Sequence, residues 1–216
     1  MGEATLRITE IFHSLQGETS FAGLPTAFVR LTGCPLRCRY CDTAYAFHGG
    51  SLIGIDEIIR QVASFRTEYV TVTGGEPLAQ KNCLRLLSLL CDKGFQVSLE
   101  TGGALPVAGV DPRVVKILDL KTPDSGECDR NDYANIESLL PKDQVKFVIC
   151  SRGDYEWAKL KIDELELRPR VSEILFSPSH GQLDGRQLAE WILEDGLKVR
   201  YQQQLHKYLW NDEPGH

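Results

Sequence analysis

Apolar and polar positions along the chain follow two rhythms that alternate almost to its end. Leu6 to Phe12 alternates apolar and polar residues, as a strand with one covered face does, and Ala27 to Leu31 reads as a second strand. Between them His13 to Ser20 is a polar loop carrying a glycine. Past residue 50 the apolar period lengthens to a helical one over Ile55–Phe65, then shortens at Tyr69–Thr73, a strand that ends in Gly74-Gly75. The spacing predicts a helix over Leu78–Lys93, with Gly94 placed to cap it, and a strand over Phe95–Glu100. It continues with a strand over Val114–Leu120, a short helix over Tyr133–Leu140 and a strand over Gln144–Cys150. A helix over Asp154–Leu165, a strand over Glu173–Phe176, a helix over Leu188–Glu194 and a last strand over Val199–Gln202 complete the pattern.

Strands that alternate with helices imply a parallel sheet with right-handed crossovers. The residues that look chemical all follow strands: a cysteine loop, Gly-Gly-Glu-Pro, Glu-Thr-Gly-Gly, Lys-Thr-Pro and Ser-Pro-Ser-His-Gly. That is the carboxyl edge, where sites lie in barrels and open α/β sheets alike. With about six core strands the chain falls short of the eight strands and ~250 residues of a full barrel. The expected fold class is α/β, an incomplete (β/α) barrel of about six parallel strands with an N-terminal strand extension. No repeat, low-complexity tract or linker divides the chain, so residues 1–216 are expected to form one domain.

Composition narrows the partners. A chain of 216 residues, 42% hydrophobic and 25% charged, suits one core of useful size. A formal net charge of −6 argues against direct nucleic-acid binding, and no apolar run approaches the ~20 residues of a membrane span. Met1-Gly2-Glu3-Ala4 has neither a basic region nor an apolar core and does not read as a secretory signal; Gly2 lacks the rest of a myristoylation pattern. The expected location is the cytoplasm, where seven cysteines are thiols or metal ligands. Cys83 and Cys91 sit among leucines of a predicted helix and read as small core residues. Cys150 ends an apolar strand, and Cys128 lies in a polar loop; none of these four is expected to ligate.

Cys34, Cys38 and Cys41 are different. They stand at C-x₃-C-x₂-C spacing within eight residues, where soft thiolates can take zinc or an iron–sulfur cluster. A cubane usually takes four cysteines, so three leave one iron open for another molecule. The competing reading is a non-catalytic structural zinc module with a fourth ligand such as His48. Structural zinc favours paired C-x₂₋₄-C units, and no second pair exists here.

With Tyr40 just before the last cysteine, and Thr73-Gly74-Gly75-Glu76-Pro77 downstream, the motif resembles the radical S-adenosylmethionine (SAM) family. The resemblance implies a partial barrel, a 4Fe–4S cluster on the three cysteines, and SAM chelated to the open iron and cleaved to a 5′-deoxyadenosyl radical. Further stretches resemble the 7-carboxy-7-deazaguanine synthase family within it: Ser14 to Glu18, Phe28 to Cys34, Cys41-Asp42-Thr43, Asp119 to Pro123, and Gln204 to Trp210. That resemblance implies conversion of 6-carboxytetrahydropterin to 7-carboxy-7-deazaguanine with loss of ammonia, on the route to queuosine. It further implies Mg²⁺ on Thr43, an electron donor such as flavodoxin or ferredoxin, and a homodimer. SAM is expected at Tyr40, Asp42, Gly74, Gly75, Glu76, Glu100, Lys121, Thr122, Pro123, Ser177, Pro178 and Ser179. The substrate is expected at Leu15, Gln16, Gly17, Glu18, Arg30, Thr73 and His206. A substrate loop is expected over about 13–20, and a closing segment over about 198–216 that includes His206 and Lys207.

The residue types suit a pterin without the name. Glu18 can accept from an N–H edge, Gln16 can donate and accept, and the Arg30 fork matches a carboxylate. Gly74-Gly75 lets backbone approach closely, and Glu76 offers charge to an ammonium. Each has a plainer reading. Gln16-Gly17-Glu18 is also a turn, Arg30 a rim residue with its head in water, and Thr43 a turn cap. Glu100 and Thr101 touch SAM or merely close a strand. The nearest rival enzyme is a radical SAM activase that makes a glycyl radical on a partner protein, for which an open docking face is needed.

Overall fold

The computed structural model of the chain describes residues 4–211 together with Glu213 and Gly215. The leader and myristoylation readings fall on Met1, Gly2 and Glu3, and the end of the closing segment on Asp212, Pro214 and His216; these lie outside the described residues. The chain enters through β1 (Thr5–Leu15), returns antiparallel through β2 (Pro25–Leu31), and adds an edge strand β3 (Ser51–Gly54) on the other side of β1. It crosses by α1 (Ile55–Ser64) to β4 (Tyr69–Gly74) and by α2 (Cys83–Asp92) to β5 (Gln96–Thr101). Then come β6 (Val115–Asp119), β7 (Gln144–Ile149), α3 (Arg152–Glu164), β8 (Glu173–Pro178), α4 (Gly185–Glu194), β9 (Arg200–Tyr201) and α5 (Leu205–Trp210).

One sheet results, in the order β3-β1-β2-β4-β5-β6-β7-β8-β9. From β2 onward every pairing is parallel. The expected core of six strands is β2, β4, β5, β6, β7 and β8, and β1 with β3 form the antiparallel extension.

Helices cover one face. Ile55, Ile58, Ile59 and Val62 of α1, and Leu86, Leu87 and Leu90 of α2, are buried against Val70, Val72, Val97 and Leu99 of β4 and β5. Tyr155, Ala158 and Ile162 of α3 with Leu188 and Ile192 of α4 do the same further along. The alternate positions of the same strands point the other way and are often polar: Thr71, Thr73, Ser98, Glu100, Asp119, Lys146 and Ser177. Side chains alternate across a strand, so this set shares the opposite face.

Several boundaries differ from the periodicity. The loop expected at His13 begins only at Gln16, because His13, Ser14 and Leu15 pair with Ala27, Thr26 and Pro25. The helix expected from Leu78 starts at Cys83. Pro77–Ala79 forms a 3-10 turn, in which the Glu76 side chain accepts from Leu78 N at 3.0 Å. Tyr133–Ser138 is a 3-10 helix capped by Asp132. The predicted strand at Val199–Gln202 shrinks to Arg200–Tyr201, and β3 and α5 have no counterpart in the periodicity, being too short to show a period. Gly94 does cap α2, with φ of 89°. No helix among the described residues is long and apolar enough to cross a membrane.

Candidate active site

The polar face of the sheet closes around a cavity of about 780 Å³ at the carboxyl ends of the strands. One end of this cavity is the cysteine loop. Cys34, Cys38 and Cys41 line it, each half-buried. Cys83, Cys91, Cys128 and Cys150 do not line it, and Cys83 is enclosed in the core. His48 is exposed and stands outside the lining.

Backbone hydrogen bonds hold the loop in place. Gly33 N donates to Ala46 O at 2.8 Å, Cys41 N to Cys38 O at 3.1 Å, and Arg39 N to Ser125 O at 2.9 Å. Arg37 Nη1 donates to the carbonyls of Cys34 and Leu36, and its guanidinium lies over Phe47 at 4.3 Å. Burial pushes the Cys34 thiol up and the Cys38 thiol to about 11. Among the described residues no three His, Cys, Asp or Glu side chains are gathered tightly enough to hold a single metal ion. All three thiols do open on the same end of one cavity. That suits a cubane, which takes each thiolate on a different iron.

The Gly-Gly-Glu-Pro turn is pressed against this loop. Gly75 N donates to Leu31 O at 3.0 Å and Glu76 N to Gly33 O at 2.8 Å. A Cβ on Gly75 would stand 2.2 Å from Gly33 O and 2.9 Å from Cys34 Cβ. The second glycine is thus a packing requirement that involves the cluster loop. Gly75→Ala is expected to cost about 1–3 kcal/mol as overpacking and to lower SAM affinity at unchanged cysteine content. A thermal melt together with SAM binding to the cluster-loaded protein checks both.

Glu76 is buried and already well served. Its carboxylate accepts from Leu78 N, from the Thr101 hydroxyl, and from Gly102 N at 2.8 Å. Burial nevertheless pushes its carboxyl above the usual range. It ties the second motif to Glu-Thr-Gly-Gly as well as lining the cavity. Tyr40, Asp42, Gly74, Gly75, Glu100, Lys121, Ser177, Pro178 and Ser179 also line the cavity. Thr122 and Pro123 do not. The Thr122 hydroxyl donates behind the wall to Val148 O and Asp154 Oδ2, both at 3.0 Å, and Pro123 opens a 3-10 turn. The sequence places Lys-Thr-Pro after a strand but not which of its side chains turns inward.

The far end of the cavity is built from the loop after β1, from β2 and β4, and from α5. Leu15, Gln16, Gly17, Glu18, Arg30, Thr73 and His206 all line it. Gln16 Nε2 donates to Thr71 Oγ1 at 3.1 Å and to Glu100 Oε1 at 3.3 Å, and Thr73 Oγ1 donates to Glu100 Oε2 at 3.0 Å. Glu100, expected beside SAM, is hydrogen-bonded to two residues of the substrate set. Glu18 is paired with Lys146 at 2.6 Å and accepts from Gln204 Nε2 at 2.9 Å. Lys146 reaches Asp119 at 3.4 Å, and Asp119 reaches Lys121 at 3.1 Å. These charges alternate in sign along one wall.

Lys146, Asp119 and Gln204 join the site only through the fold, by their contacts to Glu18 and to one another. Lys146 carried a signal, a cation in the middle of an apolar strand, as Arg30 did. Arg30 spends only Nε on Glu10, at 2.7 Å, and its guanidinium lies near the rings of Phe12 and Tyr45. Among the described residues its two Nη groups form no hydrogen bond.

Residues 204–211 both line the cavity and pack on the loop that carries Gln16, Gly17 and Glu18. Leu205 N donates to Gly17 O at 3.0 Å, and a Cβ on Gly17 would stand 2.3 Å from His206 Nδ1. Gln204 Nε2 also donates to Asp42 Oδ2 at 3.1 Å, so one amide joins the loop that carries Glu18 to the cysteine loop. Thr43 lines the cavity beside Cys41, its hydroxyl 3.8 Å from the sulfur. It precedes the 3-10 turn Ala44–Phe47 yet makes no side-chain cap bond. Two buried polar atoms on the lining, Tyr40 OH and Asp119 Oδ1, have no partner among the described residues. A polar molecule in the cavity would satisfy them.

Residues 28–125 match the Radical SAM superfamily. A 7-carboxy-7-deazaguanine synthase of Chlorobaculum tepidum is 52% identical over 98% of this chain and 97% of its own length. One from Koribacter versatilis is 42% identical over 96% of this chain and 98% of its own. In three dimensions the chain is similar to QueE from Escherichia coli, with a TM-score of 0.73 and 22% identity over 94% of this chain and 95% of that one.

Proposed function

The chain belongs to the 7-carboxy-7-deazaguanine synthase family of the radical SAM superfamily, and on that footing we propose how its cavity serves the family's reaction. The reaction is ring contraction of 6-carboxy-5,6,7,8-tetrahydropterin to 7-carboxy-7-deazaguanine with loss of ammonia, within queuosine biosynthesis. When bound, the 4Fe–4S cluster and SAM supply the 5′-deoxyadenosyl radical. The chain itself binds, orients and excludes water.

The single observation that carries this reading is one cavity with three cysteines at one end and a carboxylate–amide–guanidinium wall at the other. Cys34, Cys38 and Cys41 hold the cluster. Tyr40, Asp42, Gly74, Gly75, Glu76, Lys121 and Ser177 to Ser179 surround SAM. Gln16, Glu18 and Thr73 meet the N–H edge of the pterin, with Glu100 beside them, and Arg30 offers its Nη pair to the substrate carboxylate. His206, packed on Gly17, closes the mouth together with Leu15. Those closing contacts favour a small molecule over the glycyl-radical activase, which needs that face open. The reductant is a small electron-transfer protein, flavodoxin or ferredoxin. We expect a homodimer in the cytoplasm.

Thr43 is the proposed protein ligand of Mg²⁺. A hard ion keeps several waters and takes its remaining oxygens from substrate. Mg²⁺ then tightens substrate binding, by about 5- to 150-fold for a typical coupling. Thr43→Ala should bring that factor near one, and Thr43→Ser should retain it. Titration of 6-carboxytetrahydropterin with and without Mg²⁺ in the three proteins tests this. Equal stimulation in wild type and Thr43→Ala would return Thr43 to the role of a turn residue.

A further inference from the structure

The substrate wall holds two glutamates, Glu18 and Glu100, and only Glu18 has a cation in direct contact. Glu18 Oε2 takes Lys146 Nζ at 2.6 Å and Gln202 Nε2 at 3.3 Å, while Oε1 takes Gln204 Nε2 at 2.9 Å. Glu100 takes two neutral donors, the Thr73 hydroxyl at 3.0 Å and Gln16 Nε2 at 3.3 Å. Gln16 links the two, since its Oε1 accepts from Glu18 N at 3.1 Å. Lys146 turns its remaining contact to Asp119, at 3.4 Å.

We propose that Lys146 is a positioning residue for this wall: paired with Glu18, it fixes that carboxylate as an ionised acceptor and directs the wall's proton onto Glu100, so that the wall offers one anionic acceptor and one O–H donor. The inference rests on the pterin reading of the same cavity and refines it. A pterin edge carries N–H donors next to a carbonyl oxygen and ring nitrogen that accept. One carboxylate and one carboxylic acid match such an edge, whereas two carboxylates would confront its acceptors with like charge.

The charge division follows from what faces each group. Glu18 is faced by Lys146 from β7, Asp119 from β6 behind that lysine, Gln202 and Gln204 from the segment after β9, His206 from α5, Gln16 from its own loop, and Glu100 from β5. Glu100 is faced by Thr73 of β4, Gln16 and Glu18, with Lys146 and Arg30 of β2 further off. Two carboxyls in one buried site do not both ionise cheaply, and the one touching a cation keeps the charge. Burial pushes both up. For Glu18 the Lys146 charge and hydrogen bond, with help from Gln204, outweigh burial and hold it well below the usual carboxylate range. For Glu100 burial and then the Glu18 charge act together, so it rises.

The test starts without pterin. Infrared difference spectra of the cluster-loaded protein at neutral pH should contain a carboxylic-acid C=O stretch that Glu100→Gln removes and that Glu18→Gln diminishes, because the Lys146 charge then falls to Glu100. Binding of 6-carboxytetrahydropterin supplies the second arm. Glu100→Gln should stay within about threefold of wild type, because an amide N–H replaces the O–H donor. Glu18→Gln should lose on the order of 10- to 100-fold. The sign for Lys146 follows from its lowering of the Glu18 pKa. In Lys146→Met the Glu18 pKa rises, so affinity falls as the pH drops through that raised value, where wild type stays level. Lys146→Arg should restore the level profile, which a merely structural lysine would not predict. Absence of the acid band, its persistence in Glu100→Gln, or equal losses in the two glutamine variants would overturn the proposal. So would a Lys146→Met profile like that of wild type. If Lys146→Met does not fold, Lys146→Gln takes its place and the band assignment still decides. A Glu100-dependent band in a protein that binds no pterin would uphold the wall and refute the substrate reading.

Discussion

Cys38→Ala will yield a folded chain that holds no 4Fe–4S cluster and has no turnover. The thiol is half-buried on the cavity wall, and burial pushes its pKa to about 11. Without iron it therefore behaves as a small apolar side chain whose loss the fold tolerates. With iron it is one of three protein ligands, and removing it leaves two of four irons without protein sulfur. Iron should fall from about four per chain to background. Cys34→Ala and Cys41→Ala should behave alike. Cys128→Ser should load normally, because Cys128 lies in a short 3-10 turn outside the cavity lining. Iron analysis after anaerobic reconstitution decides. Full loading in Cys38→Ala, or loss in Cys128→Ser, would contradict the assignment.

The next largest effect is expected at Arg30. Its Nε is held by Glu10 at 2.7 Å and its plane lies near Phe12 and Tyr45, which fixes the direction in which the two Nη groups point. A fork held this way costs little further ordering when a carboxylate arrives. Arg30→Ala should weaken binding of 6-carboxytetrahydropterin by on the order of 2–4 kcal/mol, about 30- to 1000-fold. Arg30→Lys should recover only part, because an ammonium cannot bind Glu10 and a bidentate carboxylate in one plane. Cluster content should be unaffected. Unchanged pterin affinity in Arg30→Ala would reduce the residue to a rim cation paired with Glu10.

Much of this arrangement can be read along the chain, and the misreadings share a cause. Strands β4, β5, β6 and β8 are long enough for their period to show, and each ends in a polar motif, so the carboxyl-edge site follows from alternation and motif together. Short elements fail that test: β3 has four residues and α5 six. β1 outruns its alternation because pairing with β2 extends it through Leu15. Site residues split in the same way. Those inside contiguous motifs, such as Cys34, Gly75 and Glu18, can be read locally. Lys146 and Gln204 become visible only when strands far apart in sequence bring them to Glu18, at separations of 128 and 186 residues. Thr122 shows the reverse error: it sits in a motif that lines the cavity, yet its own hydroxyl turns to Asp154.

Anaerobic turnover of 6-carboxytetrahydropterin by the cluster-loaded protein, with SAM, Mg²⁺ and reductant, puts the central claim to its most direct test. Mass spectrometry should find 7-carboxy-7-deazaguanine, lighter than the substrate by one ammonia, formed in wild type and absent in Cys38→Ala. SAM cleaved to 5′-deoxyadenosine while the pterin is returned unchanged would contradict the account.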